Sequence, residues 1–253
     1  MSGTSGPATL IGSPASPYVR KVMAMAELKG VAVQLDPIIG FMGSDAFSEV
    51  SPLRRIPVWI DDRVTLSDSS VIAQYLEDRY PAPALFPADI AERARARWLE
   101  EYADTRIGDV TLWKLFFQRI IKPFLFRQEA DEALIASALE THLPDVCGYI
   151  ERQLPEEGFL FGELSVADLS IAPFFVNAQA AGFEPDAARW PRLAGWLSRM
   201  EAETVMGGLN NAARTLLSTR PREHRAALAD LGFMLSERTW GGERPQRGPM
   251  SAD

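Results

Sequence analysis

Apolar residues first gather at residues 8–12, "ATLIG", a run short enough for a buried strand. They recur at Val19, Val22, Met23 and Ala26, the i, i+3, i+4, i+7 spacing of an amphipathic helix, which Gly30 stops. Val31, Val33 and Leu35 then alternate with polar neighbours, predicting a half-buried strand. Residues 37–54 carry Pro37, Gly40, Gly43 and Pro52 and predict a loop or a broken helix. Val58–Ile60 and Val64–Leu66 flank Asp61-Asp62, a hairpin signal. Helical spacing returns from Ser69 to Tyr80 through Val71, Ile72, Tyr75 and Leu76. The order β-α-β-(loop)-β-β-α implies a parallel first pair, a closing hairpin, and a small mixed sheet with helices packed on it.

The texture changes at "YPAPALFP", residues 80–87, where three prolines in eight residues mark a boundary. Beyond it strand signals nearly vanish. A long helix is predicted from Asp89 toward Lys122, bounded by Pro123, and another from Glu129 to Leu154, kinked or broken at Pro144. "LSVADLSIAPFFVNAQAAG" is apolar on nearly every side and reads as a buried helix ending at Gly182; "WPRLAGWLSRMEA" is one more. Leu216–Leu217 and Leu228–Leu235 each suggest a short helix. The expected division is a mixed α/β domain over 1–80, a linker over 81–88, an all-helical domain over 89–238, and a disordered polar tail over 239–253.

Composition narrows the function classes. The 253 residues are 47% hydrophobic, enough for one large core or two small ones, and the net charge of −8 repels nucleic acid and anionic lipid. Neither is expected as a partner. No apolar run approaches the ~20 residues that span a bilayer, and the first residues lack the basic and apolar stretches of a secretory signal. One cysteine, Cys147, excludes an intramolecular disulfide; two histidines, His142 and His224, offer no metal or triad spacing. No metal and a cytoplasmic location are therefore expected.

The chemistry concentrates in "SPASPYVRK", residues 13–21. Ser16-Pro17 is either a helix N-cap followed by Pro at the first helical position, or a hydroxyl placed beside free N–H groups where an anion can bind. Ser13-Pro14 reads as the preceding turn, and competes as the hydroxyl donor. Asp68-Ser69 is a second helix start. Arg55 is by itself a solvated charge. Trp113, Phe116 and Phe117 share a helix and are either core or the lining of an apolar pocket.

Four segments, in this order and spacing, resemble the glutathione transferase superfamily. "SPYVRKV" at 16–22 is similar to the opening of serine-type transferases of the bacterial and tau kind, and sits where glutaredoxins carry Cys-Pro-Tyr-Cys. "SPLRRIPVWIDD", "LSDSSVIAQYLEDRYP" and "LSVADLSIAP" resemble the cis-proline segment, the third-helix run and the capping box of the helical domain. The resemblance covers the chain to about residue 202 and implies a thioredoxin-like α/β domain with a four-stranded mixed sheet, then an all-α helical bundle domain.

It further implies glutathione as co-substrate, held by Ser16, Arg55, Ile56, Pro57, Asp68 and Ser69, with Ser16 stabilising the thiolate. Ile56 would offer its backbone across a cis Ile56-Pro57 bond. Ser69 would hold the γ-glutamyl carboxylate and Asp68 its ammonium. Ser13, Tyr18, Trp113, Phe116 and Phe117 would line the pocket of an apolar electrophile. The same frame serves glutathione-dependent isomerases, dehalogenases, ether-cleaving lyases and non-catalytic carriers, and implies a homodimer. Ser165 and Asp168 are expected to serve folding as a capping box.

Overall fold

Strand β1 (Ala8–Ile11) is buried throughout because both of its edges and both of its faces are covered. It pairs in parallel with β2 (Val33–Asp36) and antiparallel with β3 (Val58–Ile60), which pairs with β4 (Thr65–Ser67). The sheet order is β2-β1-β3-β4, the mixed topology that the sequence pattern predicts. Helix α1 (Pro17–Leu28) joins the parallel pair, α2 (Asp45–Val50) interrupts the following loop, and α3 (Ser69–Arg79) packs beside α1. The computed structural model describes residues 6–248, in two compact units. One takes the chain to Pro83 and again from Asn211; the other is Ala84–Asn210.

The β3–β4 hairpin is tied to α3 by one carboxylate. Asp61 accepts from Trp59 Nε1 (2.9 Å), Tyr75 OH (2.7 Å), Arg79 Nη1 (2.7 Å) and the Arg63 and Val64 amides. Desolvation pushes its pKa up, but these donors together outweigh it and hold the carboxyl down at about 2.

The second unit is helical. Helix α4 (Ile90–Tyr102) continues with π winding through Ala103–Ile107 and Asp109–Phe126. Pro123 therefore does not end it: the proline lies inside the last turns, and the chain leaves at Arg127 with φ 57°. An α-helical proline strikes the carbonyl four residues back, and the wider π turn moves that carbonyl away. Helix α5 (Glu132–Ser137) passes through a π turn at Ala138–His142 into α6 (Leu143–Gln153), so the break falls just before Pro144.

Helix α7 (Val166–Ala180) is buried along most of its length and ends before Gly182, whose φ of +86° suits glycine. Its capping box forms as the sequence predicts. Asp168 Oδ2 takes the Ser165 amide (3.0 Å) and hydroxyl (2.7 Å), while Oδ1 takes Leu160 N–H (3.0 Å) and Trp196 Nε1 (2.9 Å). Helix α8 (Pro191–Ala202) follows.

Helix α9 (Thr204–Ser218) carries the chain across the division, and α10 (His224–Asp230) belongs to the first unit. Residues 211–238, expected within the helical domain, thus fall in the sheet unit, and residues 239–248, expected in a disordered tail, are held against it. Leu35 N–H donates to Met234 O (2.8 Å) and Ser236 N–H to Leu35 O (2.9 Å), so Leu235 runs parallel to β2 along its open edge.

Asp36, wholly buried, accepts from the Trp240 amide (2.8 Å), Thr239 Oγ1 (3.2 Å) and Arg225 Nη1 (3.3 Å). Trp240 fills a cluster with Ile11, Ile38, Phe47 and Val58. Ser44 N–H donates to Trp240 O, Gly242 N–H to Met42 O and Gln246 N–H to Phe41 O, at 2.6–2.8 Å. Glycine permits close contact here: a Cβ on Gly242 would lie 3.2 Å from the Ser44 backbone. Residues 249–253 lie outside the described residues.

Candidate functional site

One rung crosses the whole sheet. Asp36 pairs with Ile11, Ile11 with Val58, and Val58 with Ser67. Just past that rung lie the Gly12–Ser16 turn after β1, Ile56-Pro57 before β3, and Asp68-Ser69 after β4. Three segments far apart in sequence thus emerge from one end of the sheet. Gly12 lets two of them touch: a Cβ there would lie 2.6 Å from Val19 Cγ2 and 3.0 Å from Ile56 Cβ, at a φ of +143°.

Ser16 occupies the N-cap position of α1, with extended backbone and Pro17 following, as the Ser-Pro pattern predicts. Its carbonyl accepts from Arg20 N–H (3.1 Å), yet its hydroxyl makes no capping bond. The hydroxyl is therefore not spent on the helix. Ser13 is buried, and its Oγ accepts from Ala15 N–H (3.2 Å) while its carbonyl accepts from Ser16 N–H (2.9 Å), which makes it the turn residue. Arg20, fully buried, donates to Pro14 O (2.6 Å) and braces this turn from inside the helix. Tyr18 is half-buried in the first turn of α1.

The Ile56-Pro57 bond is cis. Ser51, also fully buried, accepts from Arg55 N–H (2.9 Å) and donates to Arg55 O (2.8 Å), fixing the loop before it. Arg54, with φ 52°, donates to Gly43 O, Ser44 O and Ser48 Oγ and so serves the loop rather than a ligand. The Arg55 side chain is exposed.

Asp68 adopts φ 109°, a region sparsely populated by residues other than glycine. Its Oδ1 accepts from the Ser70 (2.9 Å) and Val71 (3.1 Å) amides, and its carbonyl from Ile72 N–H (3.0 Å). Ser69 N–H is left as the first-turn amide without a partner among the described residues. Behind it stands a residue that sequence reasoning passed over. Lys21, on α1 and 1% exposed, places Nζ 3.3 Å from Ser69 Oγ and 3.1 Å from Ser70 Oγ.

The remaining candidates lie in the helical unit. Phe116 is buried, whereas Trp113 is 39% exposed and its ring centroid lies 5.7 Å from that of Phe117. Cys147 is fully buried, and that burial pushes its thiol up to about 12, far from a reactive thiolate. His142 sits between Arg106 and Ser137, and His224 against Thr219 O. Among the described residues no group of three or more His, Cys, Asp or Glu is placed to hold a metal ion. Nor is any helix long and apolar enough to cross a membrane.

An amino-terminal βαβ–ββα unit that gathers a serine at a helix N-cap position, a cis-proline and a second helix start is the frame of glutathione-dependent transferases. Comparison with known proteins agrees along the chain. Residues 10–84 match the family model of the glutathione S-transferase N-terminal domain and residues 127–199 that of the C-terminal domain. Glutathione S-transferase theta-3 of Mus musculus is 30% identical over 208 residues, 79% of this chain and 85% of that protein. The chain belongs to the glutathione S-transferase family.

Among solved structures, a glutathione S-transferase from Rhodospirillum rubrum shares the fold with a TM-score of 0.74 at 23% identity, over 89% of this chain and all of that one. The theta-class enzyme of Xanthomonas axonopodis pv. citri, solved with glutathione bound, gives 0.69 at 26% identity over 79% and 94%.

Proposed function

We propose that this glutathione transferase-like enzyme ionises the glutathione thiol beside Ser16 and directs the thiolate at an electrophilic, apolar small molecule. The observation that carries this reading is the Ser16 hydroxyl at the N-cap of α1, which makes no capping bond, within a turn that Ser13 and Arg20 already hold. A hydroxyl donating to sulfur, backed by the positive end of α1, favours thiolate over thiol. A charge-assisted hydrogen bond is worth about 1.5–3 kcal/mol, enough to lower a free thiol pKa of about 8.5 by one to two units.

The thiol proton leaves to solvent. Sulfur then forms its bond to the electrophilic carbon, and the leaving group departs with the bonding pair or the addition product takes up a proton. Ile56 offers backbone groups to the cysteinyl part of glutathione as an added strand. Ser69, through its N–H and hydroxyl, takes the γ-glutamyl carboxylate; Asp68 Oδ2 faces its ammonium, and Arg55 supplies a further cation. The family resemblance supports a cytoplasmic homodimer.

Binding to immobilised glutathione, followed by conjugation of a generic aryl halide, tests the reading. Retention and turnover are expected. Failure to bind overturns it, and binding without turnover moves the assignment to a carrier or to a reaction of narrower substrate range.

A further inference from the structure

The geometry points to Lys21 as a positioning residue that sets the polarity of the Ser69 hydroxyl and thereby selects thiols bearing a γ-glutamyl carboxylate; this rests on the glutathione reading above. Lys21 is on the second turn of α1, yet its ammonium is buried and lies against the first turn of α3, 3.3 Å from Ser69 Oγ and 3.1 Å from Ser70 Oγ. An ammonium has three donors and no acceptor, so both hydroxyls must receive from it. A serine oxygen that accepts on one side keeps its own proton for the other.

Ser69 then shows a ligand two donors, its O–H and its N–H, which has no partner among the described residues, while Asp68 Oδ1 takes the next two amides. A donor-only face suits a carboxylate and disfavours a carbonyl-poor or cationic group at the same place. Lys21 does not need to touch the ligand. It makes the hydroxyl a one-way donor, where an unassisted serine would rotate and accept as readily as donate. The cation also adds its field to the positive end of α3, so the anion is favoured twice by groups that carry no exposed charge.

The test compares two thiols, glutathione and cysteinylglycine, which share the thiol, the cysteinyl backbone and the glycine and differ only in the γ-glutamyl group. Their dissociation constants are measured by calorimetric competition on the full chain and on Lys21→Met, Lys21→Gln, Ser69→Ala and the Lys21→Met/Ser69→Ala double variant. The unaltered chain is expected to prefer glutathione strongly. If it does not distinguish the two, the glutathione reading itself has failed, and Lys21 with it.

Given that preference, Lys21→Met and Lys21→Gln are expected to weaken glutathione about 10- to 100-fold while leaving cysteinylglycine within about twofold. In the Ser69→Ala background the Lys21 change is expected to add little further loss. A loss of packing alone would weaken both thiols together and leave their ratio unchanged, which overturns the proposal. Should the Lys21 variants not fold, Ser69→Ala decides: a preference that survives without the hydroxyl overturns the relay, and one that collapses supports it.

Discussion

Ser13 and Ser16 stand three residues apart, and their hydroxyls are committed differently. Ser13 Oγ is used by the Ala15 amide, and Ser16 Oγ caps nothing. Ser16→Ala is therefore expected to raise the pKa of bound glutathione by one unit or more and to cut kcat/KM ten- to hundredfold with little change in thermal stability. Ser13→Ala is expected to lower Tm and leave the thiol pKa alone; thiolate ultraviolet absorbance across pH reads both. Asp61 gives a pH test of the fold. Its carboxyl is held near 2 against about 3.9 when unfolded, so the stability it contributes is present above pH 4 and is lost as pH falls toward 2. Asp61→Asn is expected to cost about 2 kcal/mol at pH 7 and to flatten that acid limb in urea titrations. The Ser-Pro and Asp-Ser starts were legible because a helix N-terminus limits which residues it accepts. Lys21 and Asp36 were not, since charged residues belong at the surface by default. What buries them lies 48 positions away at Ser69 and 204 positions away at Trp240.

At the scale of elements, the segment from Met234 to Gln246 does for β2 what another strand would do. Trp240 is its anchor, buried at 6% exposure, and its Nε1 finds no hydrogen-bond partner among the described residues. Two substitutions separate packing from polarity. Trp240→Ala is expected to cost about 3–5 kcal/mol by opening a cavity among Ile11, Ile38, Phe47 and Val58. Trp240→Phe keeps most of the aromatic bulk and removes the buried orphan donor, so a cost under about 1.5 kcal/mol is expected. Denaturant unfolding of the two variants checks the contrast. Elements with a clear pattern, α1, α3 and the β3–β4 hairpin, could be read from the sequence, and α7 from its unbroken apolar length. This segment could not, because it pairs through scattered backbone groups and one aromatic side chain and has no alternation of its own. The π winding after Tyr102 was equally hidden, since apolar spacing reports a face and not the hydrogen-bond step.

For the molecule as a whole, neither family match extends to residues 211–248, yet these complete the sheet unit. Cutting the chain after Asn210 is expected to abolish hydrogen-exchange protection at the Leu35 and Ser44 amides, whose partners are Met234 O and Trp240 O, and to raise dye binding to exposed apolar surface. The helical core around α7 is expected to keep its protection, measured residue by residue in the same experiment. Synthesis adds an order of events to this architecture. The ribosome delivers Asp36 early and Trp240 only 204 residues later, a delay of roughly 10–40 s at 5–20 residues per second. Through that interval the nascent sheet carries an open edge at Leu35 and a buried-to-be carboxylate still in water. A premature stop before Trp240, or a bulky fusion that keeps it from docking, therefore acts as a lesion of the part of the protein that was made first.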